Sequence, residues 1–67
     1  MLDVQRYKAL VDQSGLKKTH IADRLNLSYQ GYLKKENGES EFTATHISIL
    51  KDLLRLSNKE VSEIFLR

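Results

Sequence analysis

The stretch Leu16-Lys17-Lys18-Thr19-His20-Ile21-Ala22-Asp23-Arg24-Leu25-Asn26-Leu27-Ser28-Tyr29-Gln30-Gly31-Tyr32 decides the fold. Ile21, Ala22 and Leu25 fall at helical spacing and predict a short apolar stripe after Leu16. Asn26 follows at the point where a left-handed residue closes a helix, a conformation asparagine tolerates. Leu27 is placed to pack under the turn. Ser28 then supplies a hydroxyl for the free amides of a new helix, predicted over 29–36. Asn37-Gly38 stops it. Two short helices joined by a tight turn are therefore written into about twenty residues.

The rest of the chain reads outward from this unit. Tyr7, Leu10 and Val11 predict a first helix over 3–13, with Asp3 in its first turn and Ser14-Gly15 as its stop. Beyond Gly38 lies an acidic connector whose Phe42 is expected to return to the core. Thr43 caps a fourth helix, 44–55, with Ala44, Ile47, Leu50, Leu53 and Leu54 inward. Ser57-Asn58-Lys59-Glu60 has the spacing of a capping box and opens a fifth helix, 58–66, with Val61, Ile64 and Phe65 inward. No segment alternates with period two. The expected class is all-α, a compact five-helix bundle forming a single domain over 1–67.

Composition narrows the function classes. Of 67 residues, 40% are hydrophobic and 30% charged, the balance of a soluble globular chain. There is no cysteine, which excludes disulfides and thiolate metal sites. His20 and His46 stand far apart in sequence, so no metal or other cofactor is expected. The serines sit in no nucleophile pattern and no Gly-rich phosphate loop exists, so an enzyme is not expected. No apolar run approaches the roughly 20 residues of a membrane span, which makes the cytoplasm the default compartment.

The net charge of +2 is unevenly spread. Residues 15–35 carry Lys17, Lys18, Arg24, Lys34 and Lys35 against the single acid Asp23. Residues 36–48 carry Glu36, Glu39 and Glu41 and no lysine or arginine. A local cationic patch attracts a phosphate backbone, while a mixed solvated face is its plainer explanation. The helix expected over 29–36 adds weight to the first reading. It shows much polar and aromatic surface for so short an element.

Two helices, a three- to four-residue turn and a serine-capped polar second helix describe a helix-turn-helix. The elements in order are Gly15-Leu16, Ile21-Ala22, Leu25, Asn26-Leu27-Ser28 and Asn37-Gly38. Together they resemble the Cro and lambda-repressor type of regulator, also called the xenobiotic-response-element family. The resemblance covers about 14–66. It implies that helix 29–36 docks in the major groove of an operator, with Tyr29, Gln30, Leu33 and Lys34 reading bases. Gln30 suits a bidentate pair with adenine, and Lys34 suits guanine or a nearby phosphate. The resemblance also implies phosphate contacts from Lys17, Lys18, Thr19, Ser28, Lys35 and Asn37. Lys18 stands where the family usually has glutamine. Val11 stands where many members have an arginine paired with the glutamate at position 36. Glu36 is therefore expected to lack that partner, with Arg6 the only substitute in view.

The implied function is a small transcriptional regulator, a phage or prophage Cro-like repressor. It would bind double-stranded DNA as a homodimer and act by occupancy. Leu56, Phe65 and Leu66 are candidates for a dimer surface and equally for the monomer core. The alternative is a protein-interaction module of antirepressor or antitoxin-like type, in which Tyr29, Tyr32 and Leu33 would anchor another regulator.

Overall fold

The computed structural model describes residues 1–66. Among these the chain forms five helices and no strand: α1 (Val4–Ser14), α2 (Lys18–Arg24), α3 (Tyr29–Glu36), α4 (Ala44–Leu53) and α5 (Asn58–Phe65). The all-α class and the helix order are as the sequence predicts. None of these helices is long and apolar enough to cross a membrane.

Three helices end by one device. Asn26, Gly38 and Arg55 adopt left-handed φ values of 57°, 81° and 55°. The next amide in each case bonds a carbonyl five residues back: Leu27 to Ala22, Glu39 to Lys34 and Leu56 to Lys51, all at 2.9 Å. This closure satisfies orphan carbonyls at the helix end. It also shortens α4, which stops at Leu53 instead of running to 55. Leu56 is 7% exposed, and its burial draws the chain round through Arg55. Two smaller differences concern helix ends. Asp3 is the N-cap of α1, not a residue of its first turn, and accepts from the Arg6 amide at 3.2 Å. α5 ends at Phe65, with Leu66 as its C-cap.

The predicted caps at Ser28, Thr43 and Ser57 all form, each side chain accepting from the amide three residues on. The box at Thr43 is completed by His46, whose Nδ1 accepts from the Thr43 amide at 3.2 Å. Only an unprotonated Nδ1 can do this.

The core gathers Tyr7 and Val11 from α1, Ile21 and Ala22 from α2, Leu25, Tyr32 from α3, Leu50 from α4, and Leu56, Ile64 and Phe65. Phe42 returns from the connector as expected. Its ring centroid lies 5.4 Å from Tyr7 and 5.8 Å from Phe65, with His46 edge-on at 6.2 Å. α2 packs on α3, α1 on α3 and α5, and α4 on α5. The Asp3 amide bonds the Ile64 carbonyl at 2.8 Å and joins the two ends of the bundle. The Cα radius of gyration, 10.6 Å, matches the roughly 11 Å of a well-packed chain this long.

Inside this core the Tyr7 and Tyr32 hydroxyls share a hydrogen bond of 2.9 Å, and neither residue is exposed. Burial pushes both phenols well above their ordinary pKa of 10.0. Removing one hydroxyl strands the other. Tyr7→Phe is expected to cost about 1–3 kcal/mol in urea denaturation. The Tyr7→Phe/Tyr32→Phe double variant should lose less than the sum of the single losses, and strict additivity would argue against the pair.

His46 gives the fold a pH dependence. Burial, and then the charge of Lys35, hold its imidazole below the ordinary 6.5. The unfolded chain therefore takes up the proton first. The cap contributes fully above pH 6.5 and is lost as pH falls through the lowered folded value. Melting curves at about pH 7.5 and about pH 5 should show a larger drop in Tm for the unaltered chain than for His46→Gln, whose amide oxygen caps without titrating. Equal drops would assign the acid sensitivity elsewhere.

Candidate nucleic-acid interface

α3 has one inner and one outer face, and two residues fix which is which. Tyr32 and Glu36, four residues apart, are 0% and 1% exposed. At about 100° per residue, Gln30 and Lys34 both project roughly 160° from Tyr32. Both are exposed, as is Tyr29 at 45%, while Leu33 is half-buried and packs against the core. The four residues expected to read bases thus split: Gln30 and Lys34 face outward, while Tyr29, exposed at the start of the helix, and half-buried Leu33 lie toward its buried side. Lys34 has no ion-pair partner among the described residues.

Ser28 anchors this face. Its hydroxyl accepts from the Gly31 amide at 3.0 Å, so the side chain is engaged in capping α3. The residue stays exposed.

The six phosphate candidates divide by what their side chains already hold. Lys17, Thr19 and Asn37 are exposed, and Lys17 has no ion-pair partner among the described residues. Lys35 turns to the connector, where its ammonium donates to the Ser40 hydroxyl at 3.1 Å and the Glu41 carbonyl at 2.8 Å. That role was not legible in sequence. Lys18 donates to Glu36 Oε1 at 2.7 Å. The bond, more than any other influence, raises the Lys18 pKa above its ordinary 10.5. Glu36 therefore has a partner, contrary to expectation, and it is neither Val11 nor Arg6. Arg6 instead bonds Glu63 at 2.8 Å on the open surface. An exposed pair of that kind adds little.

Other expected surfaces change character. Leu56 and Phe65 lie in the core at 7% exposure each, while Leu66 is 65% exposed. Tyr32 is sealed inside, so the apolar cluster expected on α3 shrinks to Tyr29 and the flank of Leu33. No group of His, Cys, Asp and Glu able to hold a metal occurs among the described residues. Neither a family model, nor a curated protein, nor a solved structure matches the chain.

Gly31 shows how tightly the start of α3 is built. A Cβ there would meet the Ser28 Oγ at 3.0 Å. Alanine otherwise gains about 0.8–1 kcal/mol over glycine inside a helix, and a serine cap is worth about 1 kcal/mol. The two effects oppose each other at this position. Gly31→Ala is expected to yield little or no stability alone, and close to the full propensity gain in a Ser28→Ala background. Equal gains in both backgrounds, read from urea midpoints, would show that the contact relaxes freely.

Proposed function

We propose that the protein is a sequence-specific regulator that binds double-stranded DNA. In this reading α2, the turn 25–28 and α3 form a helix-turn-helix, and α3 lies in the major groove. One observation carries it: Gln30 and Lys34 project together from the face of α3 opposite its buried side. A helix that presents an amide and a cation side by side matches the donors and acceptors of base edges and phosphates. Lys17 and Asn37 are exposed before α2 and after α3, and serve as backbone contacts.

With few base contacts from α3, this domain acts by occupying an operator, as a Cro-like repressor does. Pairing two copies on adjacent half-sites supplies the affinity that one copy lacks. Leu66, exposed at 65%, is an apolar side chain that such a contact would cover. The alternative, a module that binds another regulator, is weakened by the burial of Tyr32, which removes its central anchor.

The test is titration into short duplexes enriched from a random pool, against unselected duplex, at about 50 and about 200 mM salt. Tighter binding to the enriched duplex, weakened by salt, is expected. Gln30→Ala should cost about 1–3 kcal/mol toward that duplex and relax the base preference at one position. Failure to enrich any sequence, with no salt-sensitive affinity, would replace the DNA reading with the protein-partner one.

A further inference from the structure

Glu36 touches the outside of the molecule through Lys18. The carboxylate is 1% exposed, and its Oε2 has no hydrogen-bond partner among the described residues. Oε1 takes one hydrogen of the Lys18 ammonium at 2.7 Å. The Lys18 side chain is 38% exposed, so its head faces the carboxylate on one side and solvent on the other. An ammonium has three hydrogens, which leaves donors free for a second acceptor.

Lys18 cannot leave this position cheaply. Its departure would strand a buried carboxylate that already lacks a partner on one oxygen. Any phosphate that meets Lys18 therefore meets it in place, with its charge already balanced. A cation paired in this way releases little of the counterion atmosphere that a free lysine would displace.

We infer that Glu36, acting through Lys18, sets the sequence-independent part of the affinity for DNA: it fixes the ammonium between α2 and α3 as a hydrogen-bond donor and cancels its charge. The inference rests on the duplex-DNA reading above. It makes Lys18 and Lys34 unlike in kind, although both lie in the same cationic stretch. Lys34 has no ion-pair partner among the described residues and contributes its full charge. Lys18 contributes geometry.

The experiment is a salt series on enriched and unselected duplex, with folding checked by circular dichroism. Glu36→Gln keeps an oxygen for Lys18 and removes the negative charge. It should tighten binding to both duplexes by the same factor, roughly five- to tenfold near 100 mM salt, and steepen the log–log salt slope by about 0.9. Lys34→Met should flatten the slope by about the same amount. The double variant Lys18→Met/Glu36→Leu replaces the pair with apolar groups, an exchange that buried pairs often tolerate, and should keep the original slope. If Glu36→Gln fails to fold, this double variant decides alone. An unchanged or weakened affinity in a folded Glu36→Gln would overturn the inference. So would a double variant that flattens the slope as much as Lys34→Met does. Absence of salt-dependent binding by the unaltered protein would overturn the DNA reading itself, and the inference with it.

Discussion

The carboxylate of Glu36 is the constraint on which the arrangement of the first three helices depends. A carboxylate sealed at 1% exposure must meet a cation or take up a proton. Lys18 supplies the cation and ties the first turn of α2 to the last turn of α3. One helical turn earlier, Tyr32 reaches the Tyr7 hydroxyl and ties α3 to α1. Two polar bonds from one face of one short helix thus fix its position against both neighbours. Exchanging such an ion pair for apolar groups often costs nothing, whereas removing one partner costs about 3–5 kcal/mol. The pair is better understood as a device for register than as a source of stability.

That register has a direct consequence for the outer surface. α3 is eight residues long. Once Tyr32 and Glu36 are held inward, the helix cannot rotate without unpairing both. Gln30 and Lys34 are then held outward by the same bonds. Ser28 fixes where the helix begins, and Gly31 leaves room for the Ser28 hydroxyl to do so. The exposed face of α3 is consequently a product of its buried face, not an independent feature of the chain.

This division explains what could be read from sequence. Caps, stops and helical stripes are local, and Asn26, Ser28, Thr43 and the Ser57–Glu60 box occur where their chemistry requires. Helix ends were harder, because the tertiary burial of Leu56 shortens α4 through an arginine that no propensity would place in the left-handed region. The polar bonds of the interior were not legible. Tyr7 and Tyr32 are 25 residues apart, and Lys18 and Glu36 are 18 apart. No periodicity links such positions, so the sequence offers no partner for the Tyr32 hydroxyl and none for the Lys18 ammonium. Lys35 misled in the same way. Its role depends on a connector that returns to it only in the folded chain.

The same bonds alter the meaning of the cationic stretch. Its positive excess is real in composition, yet Lys18 is neutralised by a buried acid and Lys35 is drawn into the connector. Lys17, Arg24, Lys34 and Lys35 have no ion-pair partner among the described residues. In the proposed DNA reading, recognition draws on directional contacts from α3 and on a second copy of the domain as well as on charge. The buried bonds of Glu36 and Tyr32 hold a short helix in one orientation, and in the proposed reading that rigidity is what lets its outer side chains discriminate.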